Sequence, residues 1–322
     1  MTTPPVRPTR RAFLGRAAGA ALAVAAPPAL LLAAPAEAAG PRALRLGGPI
    51  FEKTSDPEAM ALAHRKLGYR AAYCPGVGLN DSGRIQAIAA AFAKHDVALA
   101  EVGVWCNLLD PDEAKRAASL KRVTEGLALA EAIGARCCVD IAGSYNPKSW
   151  FGPHPDNLTP KFFDATVENA RKIVDAVKPK RAKFALEMMG WAMPDSPACN
   201  LRLIKAVDRE GFGVHLDPCN LVNCPERFYR NTDLLNECFD TLGPWIASCH
   251  AKDLTWDIEM NVHFREVVPG TGTLDYTTFL KRLAALPQGP PLMIEHLGKA
   301  EEYERARDYI LDVGKKAGLS FE

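Results

Sequence analysis

From about residue 43 onward, short apolar runs alternate with longer amphipathic stretches. The runs fall at 43–46, 71–74, 98–105, 136–141, 183–188, 213–217, 246–251 and 291–295, and each has the length of a β-strand. The stretches 57–67, 84–95, 113–133, 162–177, 200–208, 227–241, 276–285 and 300–316 read as helices. In 84–95, for example, Ile85, Ile88, Ala89 and Phe92 recur at helical spacing. Gly68, Gly134 and Gly211 stand where helix C-terminal caps are expected. Repeated strand–helix units at this spacing predict an α/β fold, a single (β/α)8 TIM barrel. A doubly wound open sheet would need a glycine-rich fingerprint after an early strand, and neither Gly-x-Gly-x-x-Gly nor a phosphate loop follows one. No linker appears after residue 40, so 39–322 reads as one barrel domain.

The first 38 residues have a different character. Thr9-Arg10-Arg11-Ala12-Phe13-Leu14 sets a twin arginine before an Ala/Leu-rich stretch broken by Pro27 and Pro28. Ala36-Glu37-Ala38 then offers small residues at the two positions a signal peptidase reads. Residues 1–38 therefore read as a twin-arginine export signal peptide, with the export machinery as a partner and a periplasmic or extracellular destination. The small residues and two prolines make a poor permanent membrane span.

Charge narrows the field. Thirty-nine basic residues against 38 acidic ones give a net charge of +1, so there is no basic excess to attract nucleic acid. The nine cysteines are an odd number without a Cys-x-x-Cys, and most read as buried thiols. Cys137 and Cys138 are adjacent in a strand, where successive side chains face opposite ways.

A barrel carries its chemistry at the C-terminal ends of its strands. Four consecutive strands end in a titratable group: Glu187, Asp217, His250 and Glu295. One such group is an ordinary satisfied core residue. Four, one per strand at the same end, converge on a point, and buried carboxylates are costly unless paired or metal-bound. Three carboxylates and an imidazole suit one divalent ion. Mn²⁺ is the expected ion, with Co²⁺, Mg²⁺ or Zn²⁺ as alternatives.

These segments resemble the xylose isomerase-like TIM barrel superfamily, the sugar phosphate isomerases/epimerases. The resemblance covers roughly residues 43–316. It is carried by the Glu187 segment, His215-Leu216-Asp217-Pro218-x-Asn220, Cys249-His250-Ala251-Lys252-Asp253, Val268-Pro269-Gly270-Thr271-Gly272 and Ile294-Glu295-His296. It implies that Glu187, Asp217, His250 and Glu295 are the metal ligands, that Glu187 and Glu295 are also the catalytic acid/base pair, and that Arg265 stands about where epimerases place a substrate-contacting arginine. Epimerases usually carry a histidine where this chain has Asn220. An amide can hydrogen-bond a sugar oxygen but does not trade protons near neutral pH. The DNA-repair endonuclease IV branch binds three metals through many histidines, and Asn220 replaces one of those.

Further substrate-binding candidates are Asn220, Lys252, Asp253, Trp105 and Asn107, with loop capping as the alternative for Asp253 and core packing for Trp105, and His154, in a proline-rich loop, reads as a lid residue or a plain surface histidine. His296 follows Glu295 and on a regular strand would face away. Tyr73, His215 and Asp140 read as barrel packing or polar network. The expected activity is that of a metal-dependent sugar isomerase or epimerase, which removes a proton beside a carbonyl to give a metal-stabilised enediolate. A lyase or dehydratase on keto-sugars or 3-keto-glycosides would use the same groups. A non-catalytic sugar-binding barrel would not require two opposed glutamates. A carbohydrate or polyol is the expected small-molecule partner, with homo-oligomerisation left open.

Replacing both Arg10 and Arg11 with Lys should trap the precursor in the cytoplasm, as read by fractionation and precursor size. Normal export of that variant would refute the twin-arginine assignment.

Overall fold

Eight of the strands pair side by side in parallel and close on themselves. The computed structural model describes residues 40–322, which form one compact unit. The export signal expected at 1–38 lies outside the described residues. The strands are β1 (Leu46–Gly47), β2 (Ala71–Tyr73), β3 (Ala98–Gly103), β4 (Cys137–Asp140), β5 (Lys183–Glu187), β6 (Phe212–Leu216), β7 (Ile246–Ala251), β8 (Asp253–Asp257), β9 (His263–Val267) and β10 (Leu292–Ile294). The barrel runs in the order β1 to β7 and then β10, which pairs back with β1. The remaining two, β8 and β9, form an antiparallel hairpin between β7 and β10.

The helices are α1 (Pro57–Lys66), α2 (Ser82–Lys94), α3 (Glu113–Ile133), α4 (Pro160–Val177), α5 (Pro197–Val207), α6 (Pro225–Tyr229), α7 (Asn231–Leu242), α8 (Tyr276–Ala284) and α9 (Ala300–Lys316). Their starts are chemically marked. Asp56, Asp81, Asp112, Thr159, Ser196 and Asp275 each accept the backbone N–H three residues on, a cap worth ~1 kcal/mol apiece. No helix among the described residues is long and apolar enough to cross a membrane.

Two expectations change. The helix expected at 227–241 is broken at Arg230 into α6 and α7. At the break, Asn231 turns its side chain to the backbone of Phe228, Thr273 and Asp275, tying this corner to the loop before α8. Gly211 is not a helix cap, because Asp208 ends α5 in the left-handed conformation. A Cβ at Gly211 would instead lie 2.7 Å from Val174 Cγ1, so close packing on α4 accounts for the glycine.

Most of the core lies between the barrel and its helices, and smaller clusters fill the interior. Cys138 joins the outer core, whereas Cys137 packs with Val139 and Ala185 in a separate cluster, as strand alternation requires. All nine cysteines are free thiols.

His64 is a buried polar exception. It lies on α1 against the edges of Tyr69 and Phe92, and its Nδ1 has no hydrogen-bond partner. Burial lowers its pKa from 6.5 to about 4. The neutral form is therefore the folded one, and its contribution is fully present above pH 6.5 and lost as pH falls toward 4. His64→Phe should lose about 2 kcal/mol less stability than the unaltered protein between pH 7 and pH 5. Equal losses in denaturant titrations at the two pH values would refute this.

Candidate metal centre and active site

Alternation along the barrel strands decides which side chains meet. On β5, Glu187 faces the axis. On β6, His215 does so, with Asp217 just beyond the strand end, and on β7 Ser248 and His250 follow. Glu295 follows the last residue of β10. One ligand atom from each of Glu187, Asp217, His250 and Glu295 lies within 4.8 Å of all the others. Around His250 Nδ1 stand Glu295 Oε1 at 2.8 Å, Glu187 Oε1 at 3.0 Å and Asp217 Oδ2 at 3.8 Å.

This set fits a divalent ion for reasons internal to the structure. Below it lies Glu101 of β3, buried and accepting from His250 Nε2 at 3.1 Å, His215 Nε2 at 2.9 Å and Ser248 Oγ at 3.0 Å. A carboxylate only accepts, so His250 Nε2 carries a hydrogen. In the neutral ring, Nδ1 then presents a lone pair toward three carboxylate oxygens. Two of those oxygens, Asp217 Oδ2 and Glu295 Oε1, are buried without a hydrogen-bond partner. Lys252 Nζ lies 2.9 and 2.8 Å from them but outside hydrogen-bonding angles. Three carboxylate oxygens, two of them without a partner, and one imidazole nitrogen form a candidate cation site. Glu101 is the outer partner that orients the imidazole, an arrangement common at metal-bound histidines.

The charges respond accordingly. Burial would raise the Glu187 carboxyl, but the His250 hydrogen bond and the charges of His250 and Lys252 hold it down to about 2. Burial does dominate at Asp217, which is pushed up to about 6. Burial would lower His250, yet Glu101 and Glu295 hold it well above its ordinary value. A proton on Nδ1 thus supplies the positive charge that a divalent ion would otherwise bring, so the two compete for one place. Burial would also lower Lys252, but Asp217, Glu187 and Glu295 keep it firmly cationic.

Above the four groups opens a cavity of about 600 Å³. Of the sequence-derived candidates, Trp105, Asn220 and Lys252 line it. Asn220 Nδ2 donates to Glu187 Oε1 at 3.2 Å, and its Oδ1 accepts from Lys252 at 3.3 Å. Trp105 has φ +45°, a strained value for a bulky residue. Its indole folds back over Gly103, where a Cβ would lie 2.5 Å from Trp105 Nε1.

Four candidates are turned elsewhere. The Asp253 carboxylate accepts the backbone N–H groups of Leu254, Gly270, Gly272 and Leu274, clasping the Pro-Gly-x-Gly loop. Asn107 is likewise spent on Ser144 and Leu109. His154 caps a short turn through the Asp156 N–H. Arg265 lies on the outer face of the hairpin and pairs with Asp257 at 2.6 Å. The same alternation brings its neighbour Glu266 into the cavity, 3.5 Å from Lys252.

His296 corrects another expectation. A left-handed backbone, φ +59°, swings it back into the cavity lining, where Nδ1 lies 2.9 Å from Glu266 Oε2 and Nε2 3.6 Å from Glu295 Oε1. Glu101 and Glu266 were missed by searching strand ends. A lone carboxylate in the apolar run around Glu101 was the available signal. Of the remaining polar groups, His215 braces Glu101, the Tyr73 hydroxyl donates to Ile294 O, and Asp140 accepts from Cys106 and Ile141 N–H.

The comparisons agree with this architecture. The family model "Xylose isomerase-like TIM barrel" matches residues 62–313, and the chain belongs to that family. Similar solved structures include a xylose isomerase-like TIM barrel protein from Mycobacterium smegmatis in complex with magnesium. It is 20% identical with TM-score 0.59, covering 86% of this chain and 97% of that one. A 3-keto-D-glucoside 4-epimerase from E. coli is 15% identical with TM-score 0.60, covering 84% and 99%. D-Psicose 3-epimerase from Clostridium cellulolyticum H10, solved with D-tagatose, is 14% identical with TM-score 0.61, covering 86% and 100%. No curated protein matches the sequence.

Metal-stripped protein should take up one equivalent of Mn²⁺, read by calorimetry or the loss of free-ion EPR signal. Asp217→Asn should abolish tight uptake, and Glu101→Gln should weaken it ~10–100-fold while leaving all four donors in place. Unchanged affinity in both variants would dismiss the site.

Proposed function

We propose that the protein is a sugar isomerase or epimerase that holds one divalent ion on Glu187, Asp217, His250 and Glu295. The observation that carries this reading is the approach of Glu187 and Glu295 to one point, 3.0 and 2.8 Å from His250 Nδ1, on the floor of a substrate-sized cavity. A cation site alone does not need two glutamates that also reach the cavity. The hard oxygen donors favour Mn²⁺ as the working assignment, and the magnesium in one relative supports an ion of that kind.

When bound, the ion supplies Lewis acidity toward neighbouring substrate oxygens. The chain's own groups do the rest. Despite burial, the charges of His250 and Lys252 keep Glu187 and Glu295 ionised, the form that accepts a proton, and a bound ion would supply the charge that the His250 proton brings without it. One takes the proton from the carbon beside a carbonyl. Its return to the opposite face is epimerisation, and delivery to the adjacent carbon is isomerisation. Lys252 places fixed positive charge beside the oxygens where negative charge develops. Asn220 holds Glu187 in position. The epimerase activities of two structural neighbours support this class.

Elimination from a keto-glycoside is the second reading. It needs a proton donor for the leaving group, and the His296–Glu266 pair supplies one on the cavity wall. The twin-arginine pattern read at residues 1–38 supports a reaction outside the cytoplasm as part of this proposal.

Glu187→Gln and Glu295→Gln should each retain some metal yet lose ~10²-fold or more in the exchange of a substrate C–H with deuterated solvent. Ketoses and 3-keto-glycosides form the test panel. Full exchange in either variant would overturn the assignment of that glutamate.

A further inference from the structure

The cavity has two unlike ends. Its floor presents Glu187, Asn220, Lys252 and Glu295. One side rises through Ile141, Met189, Trp150, Phe151 and Trp191, and Trp105 lies nearer the floor, its ring 6.3 Å from that of His250. These aromatic rings are open to solvent: Trp105 is 36% exposed, Trp191 37%, Trp150 39% and Phe151 44%. A contiguous exposed apolar surface beside a polar floor marks a binding surface.

The wall is also fixed in place. Trp191 Nε1 donates to Phe151 O at 2.7 Å, joining the loop after β5 to the loop after β4. Trp150 and Phe151 pack edge to face at 5.2 Å. Beneath them, Asn157 and Ser144 bond the loop backbone at Gly152 and Tyr145. A preformed wall of this kind loses little freedom when a ligand covers it.

Charge restricts what the cavity accepts. Among the described residues, Lys252 is the sole lysine or arginine in its lining, and Asp217, Glu295 and Glu266 already surround it. A phosphate or carboxylate substituent would find no free arginine or lysine and would face Glu187, Glu266 and Glu295. A second sugar ring would need partners for its hydroxyls. On this wall Ile141, Met189 and Phe151 side chains offer none and the Trp191 N–H is already used, which leaves the Trp150 and Trp105 N–H groups, two donors and no acceptor for a whole ring of hydroxyls.

We infer that the substrate is an uncharged keto-glycoside with a planar apolar aglycone, its sugar on the polar floor and its aglycone against Trp150, Phe151 and Trp191, and that unoxidised glycosides serve as binding probes of the same cavity. The orientation rests on the reading that the reacting carbons meet Glu187 and Glu295.

Calorimetry on the purified metal-loaded protein tests this with phenyl β-D-glucoside, methyl β-D-glucoside, cellobiose and glucose 6-phosphate. The phenyl glycoside should bind about ten-fold tighter than the methyl one, and tighter than cellobiose. Trp150→Ala and Phe151→Ala, both at exposed side chains, should each bring the phenyl-to-methyl ratio toward one. Glucose 6-phosphate should bind more weakly than the methyl glycoside. A ratio near one in the unaltered protein, a ratio that survives both substitutions, or tighter binding of cellobiose or the phosphate would overturn the inference. Binding is read here without turnover. Absence of proton exchange would remove the isomerase reading and leave the ratio standing. Exchange on free ketoses with a ratio near one would do the reverse.

Discussion

His250 faces acid groups on both of its ring nitrogens, and the upper half of the barrel is arranged around that fact. Glu101 holds Nε2 from below, while Glu187, Asp217 and Glu295 crowd Nδ1 from above. All of this lies almost out of water, where unpaired charge is expensive. Each acid therefore needs a compensating group, and the compensation reaches five strands. His215 and Ser248 complete Glu101, the backbone N–H groups of Cys219 and Asn220 take Asp217 Oδ1, and Lys252 faces the outer carboxylates. Removing one member of such a set leaves the others uncompensated, a loss of about 3–5 kcal/mol for a buried pair. The charge balance of the cluster calls for a positive charge at its centre, and an apolar replacement of one side alone would upset it.

Strand ends were the legible part of this site. Period-2 alternation and the barrel rule together lead from the sequence to Glu187, Asp217, His250 and Glu295, because each is a charge stranded in an apolar run. Glu101 gives the same signal, but it sits within its strand and on the other side of the barrel. Residues with short polar side chains were less legible. Asn107 and His154 occupy loops next to the site and Asp253 opens β8, and each spends its polar atoms on backbone N–H groups. That competition is local chemistry available to any Asn or Asp, so position alone does not separate a loop clasp from a ligand contact. His296 turned on one backbone angle, since φ +59° replaces outward alternation with an inward swing.

The insertion after β7 explains both the long spacing before Glu295 and the misplacement of Arg265. The β8–β9 hairpin leans on an aromatic group in which Phe228 stacks on Phe264 at 5.1 Å and Trp256 meets both rings edge-on. Phe264 and Glu266 share one face of β9, so the packing that seats the hairpin also aims Glu266 at Lys252 and His296. Arg265 must then face the other way. A spacing argument can foresee that an insertion exists, but the face that each residue takes is set by which aromatic finds the barrel.

This hairpin also bears on the choice of chemistry. Proton traffic between two faces of a carbon needs two groups that titrate, and Glu187 with Glu295 suffices. Elimination needs a further donor near the departing group. Asn220 cannot act as one, because an amide does not exchange protons near neutral pH. Its hydrogen bonds run to Glu187 and Lys252. The added donor has to come from the opposite side of the cavity, where Glu266 raises the pKa of His296 by accepting its hydrogen bond. Glu266 arrives on the inserted hairpin and His296 on a strained turn, so neither belongs to the regular barrel. On the proposed reading, the barrel fixes the candidate ion site and the two glutamates, while the insertion and the turn decide which further proton donors reach the same cavity.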